Sequence, residues 1–495
     1  MEFASLRPAG GHRTKKCGTC RDRKVKCDKQ EPFCTTCTSR GYICKGYDPP
    51  VVFIPVQPGR EHSRRSSGES SRSTARVMGR GQALLPMARQ PVPASPSTWT
   101  PDQIWILREY FLLHLAGNAT VSPGSGLPSL LCEFLGKSLP VGSLQYRCMK
   151  ALTASYYLMR TAGPDACQRG KEAYGHAINA VRWAINHPHR KAEPDVLMSI
   201  MCLCLYENII VTNPRTWIEH YKGVSTLIEM HSPDHYQSGK NREILLACRY
   251  TIIISAGTLR QPCFLAKPAW RQMIELNEAE SRDVFDTILG IVVDVPGLLH
   301  GMDRLTDGTI SNTELTTLSA TLQWTVMALR DWWHTSFSAA GGNNDSLSIY
   351  SPHTASAIAF HHMVLLLLEE LCYKLQVSWL PESSVPSNFP ATPRLNETPT
   401  LFRRAWHKHS VASEILQLAQ RSIGPDTGIY GILRFIMPLH VAHDHLLPGS
   451  LEMEALGNLM NVVMAGQHGF QMAKRHDGQY TSFPESLFRY EDWLA

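Results

Sequence analysis

Residues 16–49 read KCGTCRDRKVKCDKQEPFCTTCTSRGYICKGYDP, and six of the chain's 14 cysteines lie inside them. Their spacing is Cys17-x2-Cys20-x6-Cys27-x6-Cys34-x2-Cys37-x6-Cys44, with the same six-residue gap after each CxxC pair. A CxxC step lets two thiolates converge on one tetrahedral ion at about 2.3 Å, and a third cysteine seven residues on can return after a short helix. Each half therefore offers three sulfurs, one short of a closed structural zinc site. Two zinc ions both reach four ligands only if two of the six thiolates bridge, so the pattern predicts a binuclear cluster that holds two zinc ions. Buried or redox cysteines have no need of a duplicated CxxC frame. RING and LIM folds need eight ligands that usually include histidine, and His12 is the only histidine close to the cluster.

The 495 residues, 43% of them hydrophobic, exceed one ordinary domain and suffice for a substantial core, while a charged fraction of 19% excludes a wholly disordered scaffold. No run of 18 or more apolar residues occurs. The greasiest stretches, 197–211 and 363–371, are broken by Glu207 and Asn208 and by Glu369 and Glu370, so no membrane partner is expected. The first residues, MEFASLRPAGGHRTKK, lack the apolar centre of a secretory signal, which predicts a reducing compartment and cysteines that are not disulfide-bonded. Charge is unevenly spread: residues 1–100 hold 18 Lys and Arg against 7 Asp and Glu, a net of +11, and the remaining 395 residues carry a net of −5. The basic arm, and not the body, is thus the part suited to meet a polyanion.

Four segments follow. Residues 1–15 form a basic disordered arm and 16–48 the cysteine cluster. Residues 49–99, with HSRRSSGESSRSTAR and PVPASPS, cannot bury enough apolar surface to fold alone and read as a flexible linker. In that linker Arg64 and Arg65 precede Ser66 and Ser67, a pattern open to phosphorylation. From residue 100 to 495 the chain turns into long amphipathic segments. Thr100, Pro101 and Gln103 supply an N-cap, a first-turn proline and a capping-box partner for IWILREYFLLHLAG, which stops at Gly117. Apolar spacing at threes and fours recurs in 143–160, 172–187, 195–210, 215–230, 314–333 and 357–375, with Pro, Gly and Asn between. The fold class is therefore mainly α: a small N-terminal binuclear zinc cluster domain, a flexible linker and a large all-α C-terminal domain.

Residues 16–49 resemble the six-cysteine binuclear zinc cluster DNA-binding domain of fungal transcription factors. The likeness includes all six cysteines, the basic stretch RDRKVKCD and Pro32 two residues before Cys34. The resemblance implies that Cys17 and Cys34 bridge the zincs, with Cys20 and Cys27 completing one site and Cys37 and Cys44 the other. Arg21, Arg23, Lys24 and Lys26 put four cations in six residues, on a segment that the metal loop should force into a short helix whose N-terminal region enters a major groove. The resemblance places base reading at Lys24, with Arg23 beside it. Guanine offers O6 and N7 to such a lysine, so double-stranded DNA with CGG-type half-sites is the expected partner. Arg21, Lys26, Lys15 and Lys16 are expected on phosphates. Family members commonly follow the cluster with a coiled coil. Here Pro49, Pro50, Pro55, Pro58, Pro86, Pro91, Pro93 and Pro96 leave no room for three heptads, so the expectation is either a monomer on DNA or a homodimer formed through the helical body with loosely specified half-site spacing.

Residues 100–495 resemble the regulatory region of the same factors, most recognisably where Trp217, His220, Gly223, Leu227 and Ile228 follow the turn at Asn213 and Pro214. His220, His361 and His362 read as histidines satisfied inside helix interfaces, and Cys202 and Cys204 as core. His440, His443, Asp444 and His445 crowd one helix end, a pattern more often solvated or capping than metal-binding. There is no GxSxG, HExxH or Walker loop, so no enzyme is expected. The expected function is that of a nuclear, sequence-specific transcription regulator that works with the transcription machinery on a pathway-specific gene set such as a secondary-metabolite cluster. The competing class is a helical enzyme or metabolite-binding protein with a structural zinc module, and DNA binding that depends on zinc and Lys24 separates the two.

Overall fold

The computed structural model describes residues 20, 23–27, 35–38, 40, 99–116, 126–162, 170–187, 193–213, 216–275, 283–337, 350–377 and 400–474. The chain divides into two compact units, Met1–Gly68 and Glu69–Ala495. The arm expected at 1–15 and nearly all of the linker expected at 49–99, with Ser66 and Ser67, lie outside the described residues.

In the first unit the described helix is α1 (Thr35–Thr38). The second unit is helical, with no strand among the described residues. Its first helix, α2 (Pro101–Ala116), starts as its sequence predicts: Thr100 N donates to Gln103 Oε1 at 2.9 Å and Gln103 N donates to Thr100 Oγ1 at 3.4 Å. Then follow α3 (Gly126–Gly136), α4 (Leu144–Ala162), α5 (Gly170–Ile185), α6 (Pro194–Ile210), α7 (Thr216–Glu229), α8 (Gly239–Thr258) and α9 (Pro268–Glu275). The second half holds α10 (Val284–Val292), α11 (Val295–Thr306), α12 (Asn312–Phe337), α13 (Pro352–Lys374), α14 (Thr400–Ser422), α15 (Ile429–His445) and α16 (Leu451–Asn458). Side-chain caps recur: Asp283 accepts from Asp286 N at 2.7 Å, Ser351 from Thr354 N at 3.2 Å and Ser450 from Met453 N at 3.2 Å. Ser311 and Glu314 form a second capping box at the head of α12.

Helix α6 explains the arrangement. Its residues from Val196 to Ile209 are buried, with apolar side chains on all sides, so it must be surrounded. It packs against α4, α7 and α8, and α4 packs in turn against α2 and α5. In the second half α13, α14 and α15 pack on one another, and α10 and α11 close over α13. Helix α8 bridges the halves through contacts to α6, α10 and α11. Trp217, Phe111, Phe285, Phe360 and Phe435 are fully buried. At about 25 cal/mol per Å² of apolar surface, rings of this kind supply the largest single contributions to such a core.

Two apolar stretches are longer than the sequence patterning implied. Pro352–Lys374 and Val284–Thr306 are each long and apolar enough to cross a membrane by length and composition. The first is α13, 83% of whose apolar window is buried in the body, and the second is α10 and α11, two helices that meet at Val293 and Asp294. Burial among other helices accounts for the composition of α13.

Candidate metal centre and DNA-facing turn

Cys20, Cys27 and Cys37 form a small buried cluster, 0%, 6% and 0% exposed. Cys20 Sγ and Cys37 Sγ approach to 3.6 Å, so a sulfur from each half of the duplicated pattern reaches a common centre. Among the described residues, the apolar side chain packed on this cluster is Val25. Soft sulfur donors shut off from water are the surroundings zinc requires. Burial without a metal would leave these thiols with little to hold them together. Cys17, Cys34 and Cys44 lie outside the described residues, as do Lys15, Lys16 and Arg21.

The turn between Cys20 and Cys27 positions the basic residues. Cys20 is helical, Arg23 and Lys24 turn, and Val25 N donates to Cys20 O at 3.0 Å. Lys24 has φ of +53°, the left-handed conformation. A bond closed five residues back, the 6→1 pattern, with the left-handed residue just before its donor, is the Schellman way of ending a helix. The apolar contact that accompanies that motif is present, because Val25 lies against the sulfur cluster. Lys24 therefore stands at the C-terminal end of its helical turn. A cation there also suits the negative end of the helix dipole. Lys24 and Lys26 are exposed and Arg23 is half-buried, so the three described cations differ in how freely they can meet an anion. Glycine is usual at a left-handed cap, and a lysine there is strained by roughly 1 kcal/mol. Neither this backbone conformation nor the capping role of Val25 could be read from the sequence, because nothing in RDRKVKCD marks a glycine-type turn.

The histidines and cysteines of the body are occupied as structural groups. His220 is 2% exposed and Tyr174 Oη lies 2.7 Å from its Nε2, and burial pushes its pKa down to about 4. His362 Nε2 meets Glu414 Oε2 at 2.9 Å, while His361 stacks on Trp332. Burial pushes the Cys202 thiol up to about 12 and Cys204 well above its ordinary value, so neither is a thiolate. At the end of α15, His440 Nε2 bonds Met472 O at 3.1 Å and His443 Nδ1 faces Asp444 Oδ1 at 3.3 Å. Outside the cysteine cluster, no group of three or more His, Cys, Asp and Glu among the described residues could hold a metal.

Comparison with known proteins follows the same division. Residues 15–51 match the fungal Zn(2)-Cys(6) binuclear cluster domain, and residues 106–385 match the fungal specific transcription factor domain. The geodin cluster transcription factor of Aspergillus terreus is 32% identical over 116 residues, 21% of this chain and 48% of that protein. The aspercryptin biosynthesis cluster-specific transcription regulator of Emericella nidulans is 43% identical over 54 residues, 11% of this chain and 9% of that protein. An uncharacterized protein of Emericella nidulans is 23% identical over 138 residues, 26% of this chain and 30% of that protein. Each alignment thus covers less than half of the relative's length. No solved structure matches the chain.

Proposed function

The chain belongs to the fungal zinc-cluster transcription factors that carry the fungal specific transcription factor domain, and from that membership we propose that it is a nuclear, sequence-specific regulator of one biosynthetic gene cluster. The observation that carries this reading is the cap at Lys24: an exposed ammonium held at the end of a short helical turn whose base is a buried sulfur cluster. Cys17, Cys20, Cys27, Cys34, Cys37 and Cys44 would hold two zinc ions, with Cys20 and Cys27 serving one site, Cys37 and Cys44 the other, and Cys17 and Cys34 shared by both. Bound there, zinc would offset the thiolate charge and fix the loop that carries the basic residues. Lys24 then donates to guanine O6 and N7 of a CGG-type half-site with Arg23 beside it, and Arg21, Lys26, Lys15 and Lys16 neutralise phosphates and set register.

The body takes the regulatory role. It carries a net charge of −5, against +6 for the whole chain, and is the part large enough for a partner-binding core, so it contacts the transcription machinery and carries any homodimer interface. Residues 49–99 act as the tether between the two. Gene-cluster regulation is supported by the names of two relatives, the geodin cluster transcription factor and the aspercryptin biosynthesis cluster-specific transcription regulator. The test is genome-wide occupancy combined with transcript changes on deletion. Occupied CGG-containing promoters concentrated in one biosynthetic cluster, with loss of those transcripts in the deletion strain, are the expected outcome. Rescue of the deletion by residues 100–495 alone would instead mean an enzyme or metabolite-binding body.

A further inference from the structure

Between α6, α7, α8 and α15 lies a cavity of about 40 Å³, lined in part by Met201, Ile254 and Met437. Its polar wall is Asn208, Tyr221, Tyr250, Tyr430 and Arg434. A buried water needs about 10–15 Å³ of such space, so there is room for a few heavy atoms.

Arg434 is the unusual member. It is 7% exposed, with its guanidinium carbon 4.0 Å from the Phe285 ring centroid and 4.4 Å from that of Tyr430. Its Nη2 donates to Tyr430 Oη at 3.1 Å and its Nη1 to His353 Nδ1, while its Nε is closed off from solvent with no partner. No carboxylate is ion-paired with it among the described residues. Asp283 and Asp286 feel its charge, but each is committed elsewhere: Asp286 to Arg249 at 2.8 Å, and Asp283 to the amide of Asp286 and to His353 Nε2 at 3.2 Å. A buried guanidinium without a directly bonded anion is costly, and an anion placed beside it offsets that cost.

The hydroxyls around it are also available. Tyr430 Oη accepts from Arg434 and Tyr221 Oη accepts from Asn208 Nδ2 at 3.2 Å, which leaves both hydroxyl protons to donate. Tyr250 packs its ring on Phe285 and Phe360 at 5.9 and 5.7 Å and makes no hydrogen bond among the described residues. Burial raises the phenols of Tyr221 and Tyr250, so both stay protonated donors. Helix α15 is loosened at this place, because Pro438 has no N–H for the carbonyl of Arg434 four residues earlier.

We propose that this cavity binds the carboxylate of a small organic acid, received by Arg434, Tyr250 and Tyr430, and that filling it fastens α15 to α6, α7 and α8. One negative charge matches the one unanswered guanidinium, and a short apolar tail suits the methionine and isoleucine wall. A phosphate dianion would bring a second charge with no cation to meet it. The site goes beyond DNA reading: α15 lies outside the segment that matches the family domain, residues 106–385. An effector held here would bias the body and leave the zinc cluster's own contacts alone.

The test is titration calorimetry on the zinc-loaded full-length protein with sodium acetate, propionate and butyrate, against sodium chloride and phosphate at equal ionic strength. Saturable one-to-one binding of at least one carboxylate, with neither control matching it, is expected. Arg434→Gln should weaken that binding at least about tenfold, as loss of a charge-assisted bond does. Tyr250→Phe removes a hydroxyl that bonds nothing among the described residues, so it should keep the unliganded melting temperature and weaken binding roughly three- to tenfold. Absence of saturable carboxylate binding, an equal response to chloride or phosphate, or unchanged affinity in Tyr250→Phe would overturn the proposal. DNA binding measured on the same samples keeps this outcome apart from the DNA-reading function, since a protein that binds a CGG duplex and no carboxylate loses only the effector site.

Discussion

Around Cys20, Cys27 and Cys37 a single apolar side chain among the described residues, Val25, packs on three buried sulfurs, whereas the helical body shuts away Trp217, Phe111, Phe285, Phe360 and Phe435 together with a helix buried on every side. One region offers mainly sulfur ligands to hold its shape; the other is built on buried hydrocarbon and rings. Charge divides the same way, with the basic excess before residue 100 and an acidic balance after it. The difference teaches that the two regions should fail independently, and that a perturbation of one is read cleanly only if the other is monitored alongside.

The largest expected separation comes from metal removal. A strong chelator should abolish sequence-specific DNA binding and unfold residues 16–48, while helical circular dichroism of the full chain, dominated by residues 100–474, stays nearly unchanged. Loss of both signals together would break the comparison. The converse experiment acts on the body: Trp217→Ala should cost about 3–5 kcal/mol of its stability in denaturant titrations, with no change in the affinity of a fragment of residues 1–100 for one half-site. Acid sharpens the contrast further. Burial lowers His220, His445 and His468 to about 4 each. A histidine depressed in the folded state binds its proton more readily when unfolded, so the body's stability should be full above about pH 6.5 and fall as pH drops from there towards 4. Thermal unfolding of residues 100–495, followed from pH 7.5 to 4.5, checks the sign; a melting temperature that rises with acid would contradict it. The smallest effect belongs to the first cap, where Thr100→Ala should cost about 0.5–2 kcal/mol in the same denaturant titration and leave zinc content untouched.

Much of this was legible in residues alone, for identifiable reasons. The capping box at Thr100 and Gln103 appears as read, because its two bonds depend on neighbours three apart. The helical segments were marked by apolar period, and Cys202, Cys204 and His220 proved to be core and interface groups in apolar surroundings. The left-handed turn at Lys24 stayed hidden, since the bond from Val25 to Cys20 and the packing of Val25 on sulfur arise only once the loop closes. Arg434 was equally silent: its cavity joins residues more than 200 positions apart, and no local pattern brings Asn208 and Tyr250 to α15. Helix α13 showed the opposite failure, where apolar composition alone would also suit a membrane and only its neighbours decide.

The account stands most directly on whether Lys24 reads bases from a zinc-held turn. Equilibrium binding of the full-length protein to a CGG-containing duplex and to a scrambled duplex should be titrated at several salt concentrations, for the natural chain, Lys24→Ala and Lys24→Gly. Glycine suits the left-handed cap, so that variant removes the ammonium without straining the turn. The predicted result is a loss of about 1–3 kcal/mol on the CGG duplex in both variants, with little change on scrambled DNA and zinc content preserved. An unchanged ratio of specific to non-specific affinity in Lys24→Gly, with two zinc ions still bound, would contradict it.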